Sequence, residues 1–270
     1  RVVDQEGGCI AWGGAVHLSP ADDIFVRVER ELDVDTEGQL IASVLSKKIA
    51  AGSNHVVLDI PVGPTAKVRS ADAADRLAAR LCSIGARFGL HVECIQTDGS
   101  QPVGRAIGPA LEAQDVLAVL RGDPLASIDL RDRACLVAGA VLELAGAARA
   151  GEGRAMAEQV LADGSALAKF ERICAAQGGA RTPPVAALSH VLAATRSGRV
   201  THIDNRRIAR LAKLAGAPEA PAAGLRLAVS LGADILAGQP LLELHADSRG
   251  EMAYALAYAA ENPDMVAIAS

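Results

Sequence analysis

The chain has 270 residues, half of them hydrophobic and 22% charged, with a formal net charge of −5. That is ample apolar material for a real core in one large domain or two smaller ones. Aromatics at 2% argue against a base-stacking platform, and the acidic balance disfavours a polyanion, so no nucleic-acid partner is expected.

The opening Val2-Val3-Asp4-Gln5-Glu6-Gly7-Gly8 reads as strand-like, and with Arg1 rather than Met in front the chain reads as a piece of a longer protein. Gly13-Gly14 is a place where backbone can approach a ligand. Asp22-Asp23 and Asp33 with Asp35 read as helix-capping or solvated acids. From Glu37 to Ala51, Leu40, Ile41, Val44, Leu45 and Ile49 recur at three- and four-residue spacing, which predicts a helix. At about 100° per residue, Ser43 and Lys47 lie one turn apart on the flank of that apolar stripe, while Lys48 points well away from Lys47. A hydroxyl beside an ammonium is a donor face for an oxygen-rich ligand; the same residues also suit a solvated helix surface.

Gly52 ends the helix, and Val56 to Ile60 reads as a buried strand followed by the loop Pro61-Val62-Gly63-Pro64-Thr65. Gly63-Pro64-Thr65 is a second place for close backbone approach. Ser70 caps a helix carrying Ala74, Leu77, Ala78, Leu81 and Ile84, which ends near Gly89. Leu90 to Thr97 is the next strand, and Asp98-Gly99-Ser100-Gln101-Pro102 is a turn. Helices follow near Ala110–Leu120, Leu130–Ala148, Arg154–Leu161 and Ser165–Gln177, then a linker from Gly178 to Pro184. This alternation is the signature of a layered α/β domain. Beyond it come the strand Val200–Ile203, the amphipathic helix Asn205–Ala215, the strand Leu225–Val229, a turn at Leu231–Asp234 and the segment Gly238–His245.

Cys9, Cys82, Cys94, Cys135 and Cys174 lie far apart without a Cys-x-x-Cys pair, so reduced thiols in a cytoplasmic protein are expected. No apolar run reaches the ~18 residues of a membrane span and no signal peptide opens the chain, so no membrane association is expected. The six histidines show no metal-ligand spacing, and neither a G-x-G-x-x-G nor a Walker pattern occurs. No metal or cofactor is expected.

Ser19-Pro20-Ala21-Asp22-Asp23, then Ile41-Ala42-Ser43-Val44-Leu45-Ser46-Lys47-Lys48, then Val57-Leu58-Asp59-Ile60-Pro61-Val62-Gly63 follow in a fixed order. Together they resemble the central part of the thymidine phosphorylase and pyrimidine-nucleoside phosphorylase family. The wording Asp59-Ile60-Pro61-Val62-Gly63-Pro64-Thr65 is closest to its branch related to the archaeal AMP phosphorylases. The resemblance extends through Gly104-Arg105-Ala106-Ile107-Gly108-Pro109-Ala110-Leu111-Glu112-Ala113 into the C-terminal segment, and so covers essentially the whole chain.

The resemblance implies a layered α/β phosphorylase domain over residues 1–182, lacking its N-terminal part. A smaller, hammerhead-like α+β domain is implied over 183–270. A lipoyl or biotinyl carrier, which shares the hammerhead, needs a lysine at a hairpin tip, and none occurs after Lys213. The implied reaction is reversible phosphorolysis, converting thymidine and phosphate to thymine and 2-deoxyribose 1-phosphate. The alternatives are a nucleoside monophosphate such as AMP as substrate, or a non-catalytic nucleotide-binding module. The implied partners are a nucleoside or nucleobase and inorganic phosphate, with a homodimeric parent. By resemblance Ser43 and Lys47 hold the pyrimidine's polar edge, with Lys48 as their neighbour. Arg27 is the candidate arginine against the base and Arg30 its alternative, because Arg27-Val28-Glu29-Arg30 is shifted by one residue from the bacterial pattern. Asp98 matches the position of a general acid; it also suits a turn that bonds its own backbone. The family's Lys-x-Ser-x-Gly-Gly and His-Thr-Gly-Gly phosphate stretches are absent from the sequence, so the chain by itself is expected to be inactive.

Overall fold

A computed structural model describes residues 1–11, 18–20, 22, 24 and 36–269. The chain is a mixed α/β protein whose contacts divide into two compact units. The first comprises Arg1–Ile60, Ser70–Thr97 and Cys135–Ala180; the second comprises Pro61–Arg69, Asp98–Ala134 and Arg181–Ser270.

In the first unit, α1 (Val2–Glu6) is a helix where the sequence reads as strand-like. The β-branched opening is overridden by partners from α7 (Ser165–Ala176). Lys169 donates to the Glu6 carbonyl at 2.9 Å, and Arg172 donates to its carboxylate at 3.2 Å. Gly7, at φ 70°, then ends the turn. Helix α2 (Glu37–Ala50) starts at Thr36, whose hydroxyl accepts from Gln39 N–H, and buries Ile41 and Leu45. It packs against α3 (Ala71–Arg87), where Ser70 caps the N-terminus and Ala74, Leu77 and Leu81 face inward. Helix α3 connects β1 (His55–Val62) to β2 (His91–Asp98), which pair in a two-stranded sheet. The Asn54 carbonyl accepts from His91 at 2.7 Å and the Val62 carbonyl from Gly99 at 2.8 Å. Acceptors and donors advance together by eight residues, so the strands run parallel.

The second unit contains two antiparallel sheets. One has the order β3 (Ala106–Ile107), β6 (Gly224–Leu227), β8 (Pro240–Ala246), β4 (Leu188–Ala193); the other is β7 (Asp234–Ile235), β5 (Gly198–Ile203), β9 (Val266–Ala269). Val200, Ile203, Leu225, Leu242 and Leu244 pack with Ile208 and Leu211 of α8 (Asn205–Leu214) and Met252 and Ala255 of α9 (Arg249–Glu261) in one core. Arg226 ties β6 to α4 (Pro109–Leu120) through Asp115 at 2.6 Å, and the other oxygen of Asp115 accepts from the Arg105 and Ala106 amides.

Gly108, at φ 133°, and Gly224, at φ 146°, pack backbone to backbone, and a Cβ on Gly224 would overlap the Ile107 carbonyl. Gly238 has φ 86° but open space around it. Gly224→Ala is therefore expected to destabilise the second unit by more than ~2 kcal/mol, combining strain and overlap, and Gly238→Ala by only about 1 kcal/mol. Thermal unfolding of both variants checks the order; equal losses refute it.

His245 on β8 has a buried Nε2 without a hydrogen-bond partner among the described residues, and the Glu243 carboxylate is 3.8 Å away. Burial pushes the imidazole pKa down, aided by Arg226 and opposed by Glu243. The unfolded chain takes up this proton near the ordinary value of about 6.5, the folded chain only at lower pH. The His245 contribution to stability is thus fully present above that value and is lost as pH falls below it. Melting curves between about pH 7.5 and pH 5.5 are expected to show this loss, with a shallower pH dependence in His245→Leu.

Candidate functional site

The periodicity that buries Ile41 and Leu45 leaves Ser43 and Lys47 on the flank of α2, one turn apart, and Lys47 Nζ donates to Ser43 Oγ at 3.2 Å. Between them sits a residue that the sequence reading treats as a cap or solvated acid. Asp22 is 5% exposed, its Oδ2 accepts from Ser43 Oγ at 2.9 Å and lies 2.5 Å from Lys47 Nζ. Gln39 Nε2 is 3.5 Å from the other oxygen. Asp22 is thus a buried counter-ion. A carboxylate removed from water is tolerated only when donors answer it, and here a hydroxyl and an ammonium do so. Ser-Pro-Ala-Asp carries no local sign of this role, because the donors lie 21 and more residues further on. Lys48 is half-buried in the last turn of α2 and takes no part in this cluster. Arg27, Arg30, Asp33, Asp35 and Gly13-Gly14 lie outside the described residues.

Asp98 belongs to the second unit and ends β2. Its Oδ1 accepts from the Ser100 amide at 2.8 Å, and Arg133 donates to its carbonyl at 2.7 Å. The Ser100 hydroxyl and amide, and then the Arg133 charge, hold its carboxyl below the usual carboxylate range. The exposed side chain is therefore ionised at neutral pH and makes its own turn. It can hold a proton for transfer only once the Ser100 bonds give way.

Gly63, expected to bring backbone near a ligand, instead lies against the backbone of Gly99, where a Cβ would overlap the Gly99 carbonyl. Thr65 Oγ1 accepts from the Asn205 amide at 3.2 Å. Cys82 and Cys94 are neighbours: Cys82 donates to the Val92 carbonyl, and burial followed by the Cys82 charge pushes Cys94 up to about 12. Such a thiol packs and does not attack. Among the described residues no group of three His, Cys, Asp or Glu side chains is arranged to hold a metal ion, and no helix is long and apolar enough to cross a membrane.

No protein-family model matches the chain. Proteins named "Putative thymidine phosphorylase" do match it closely. The one from Chelativorans sp. (strain BNC1) is 67% identical over 268 residues, those from Parvibaculum lavamentivorans and Tolumonas auensis 64% and 63% over the same length. Each match takes in 99% of this chain and 53% of the relative, so the chain spans about half the length of the curated relatives it matches. Identity of this order across nearly every residue means that the chain belongs to the thymidine phosphorylase family.

Proposed function

We propose that the chain supplies the base-holding part of a cytoplasmic nucleoside phosphorylase of its relatives' length. That enzyme converts thymidine and phosphate reversibly to thymine and 2-deoxyribose 1-phosphate. The observation that carries the reading is the Asp22–Ser43–Lys47 cluster. Among the described residues Ser43 gives its O–H to Asp22 and accepts from Lys47, which leaves one lone pair, and Lys47 bonds both neighbours, which leaves one N–H. An acceptor beside a cationic donor complements a base edge that offers an N–H next to a carbonyl, as thymine and uracil do.

In phosphorolysis the sugar becomes oxocarbenium-like while negative charge grows on the departing base. The free N–H of Lys47 bonds a carbonyl oxygen more strongly as that charge develops, which lowers the barrier rather than merely binding the substrate. Asp22 touches neither sugar nor base; it fixes where the hydroxyl and ammonium stand. Asp98 is the candidate proton donor, subject to the release of its turn. Phosphate falls to the half of the relatives that this chain does not span. The thymidine assignment follows the names of the relatives; uridine and AMP belong in the same assay. Loss of phosphate-dependent base release from all three by the full-length protein overturns the reading.

Lys47→Ala in the full-length protein is expected to lower kcat by ~10²-fold or more. It also leaves the Asp22 carboxylate buried without its cationic partner, answered by Ser43 and Gln39, so the first unit should lose on the order of 1–3 kcal/mol. Adding Asp22→Asn to Lys47→Ala removes the orphaned charge and should restore stability without restoring turnover. Recovery of both, or of neither, refutes the assignment.

The chain alone should bind thymine or uracil weakly and show no phosphorolysis, since positioning of phosphate supplies several kcal/mol of barrier reduction. Calorimetric titration, with Ser43→Ala as the control that abolishes the signal, checks binding. An unaltered isotherm in Ser43→Ala puts the base elsewhere.

A further inference from the structure

Asn205 is the first residue of α8, yet its side chain does not cap that helix. Asp204 does so, its Oδ1 accepting from the Arg206 and Arg207 amides at 3.0 and 3.1 Å. The Asn205 amide group reaches instead to the Asp98 turn, where Nδ2 donates to the Gly99 carbonyl at 2.9 Å. Its backbone N–H bonds Thr65 Oγ1, and its Oδ1 is buried with no hydrogen-bond partner among the described residues. A buried acceptor left unpaired opposes folding, so one hydrogen bond gained with one acceptor orphaned makes a poor case for stability as the purpose of this side chain.

What the amide does hold is the residue between Asp98 and Ser100. The Gly99 N–H is fixed by the Val62 carbonyl, and Gly63 lies flat on the Gly99 backbone. The Asp98 carbonyl is fixed by Arg133 from α5 (Ile128–Leu144), and Gln101 Oε1 accepts from the Leu231 amide at 2.6 Å. The Gly99 carbonyl, at the apex, is held by Asn205.

We propose that Asn205 is a positioning residue: through the Gly99 carbonyl it keeps the Asp98–Ser100 turn closed and so places the Asp98 carboxylate. The inference rests on the reading of Asp98 as a reactive carboxylate. The groups around that carboxylate are the Ser100 hydroxyl and amide and the Arg133 guanidinium. Asp204, next to Asn205, is committed to the α8 N-terminus and to Arg207. With the turn closed, Ser100 stabilises ionised Asp98; with it loosened, the proton is held more readily.

The first test uses the chain itself. In Asn205→Ala the Asp98 carboxyl, followed by carbon-13 NMR through a pH titration, should move up toward the ordinary carboxylate value of about 3.9. The melting temperature should shift by no more than about 2 °C, since one bond and one orphan leave together. Asn205→Asp, which sets an acceptor against the Gly99 carbonyl, should move Asp98 further and melt lower. An Asp98 titration unchanged in Asn205→Ala overturns the proposal, whatever the activity.

The second test uses the full-length protein. Asn205→Ala should move the falling limb of the kcat–pH profile to higher pH, in step with the Asp98 carboxyl, with KM for the nucleoside unchanged, and the shift should be absent in an Asp98→Asn background. A shift that persists in the Asp98→Asn background overturns the proposal. Normal turnover by Asp98→Asn alone defeats the reading of Asp98 while leaving the titration result standing, so the two failures are distinguishable.

Discussion

A carboxylate that water barely reaches has to be answered by donors, and Asp22 imposes that constraint on α2. Its partners must be able to donate, must sit one turn apart, and must lie on the flank of the apolar stripe rather than within it. Ser43 and Lys47 satisfy all three conditions. The burial of Ile41 and Leu45 sets the rotation of the helix, and that rotation brings hydroxyl and ammonium together over Asp22. Packing and polar chemistry therefore specify the same arrangement, which is the consistency that gives a single native state.

The parts of this arrangement that were legible in the sequence are those encoded within a few residues. Three- and four-residue spacing predicts α2, and from α2 follows the Ser43–Lys47 adjacency at 3.2 Å. Ser70 before Ala74, Leu77 and Leu81 predicts α3, and apolar runs bounded by turns predict β1 and β2. Asp22 was not legible, because its role depends on donors beyond the helix start and an Asp after Ser-Pro-Ala reads as a cap. The strand-like reading of Val2–Gly8 failed for the same reason: Lys169 and Arg172 hold the helical form from more than 160 residues away. Helix α9 is rich in alanine without a strong apolar stripe, yet Ser248 and Glu251 form the capping pair that marks its start, the Ser248 hydroxyl accepting from Glu251 N–H at 3.2 Å. That signal was present in the sequence; β3, two residues long, left none.

Of the two roles that the sequence leaves open for Asp98, turn-maker and general acid, the structure shows the first. It does bond its own backbone as turn aspartates do, and the turn it makes is fixed from outside by Val62, Arg133 and Asn205. An aspartate needed only to reverse the chain requires no such support, since the Asx bond suffices. Glycine at 63 admits the backbone of Gly99, which makes the support possible.

Composition sets the mode of recognition on the proposed reading. With aromatics at 2%, the chain has little with which to stack a base, so hydrogen bonds along its edge must carry the discrimination. A site of this kind rejects a ligand lacking the right groups severely, because an unmatched edge leaves the Lys47 donor and the Ser43 lone pair desolvated and unpaired. It rejects a ligand that merely adds a methyl group weakly. Thymine and uracil present the same edge to Ser43 and Lys47 and differ by one methyl, so the cluster described here groups them together. Any preference between them has to come from apolar surface around the ring rather than from Asp22, Ser43 and Lys47.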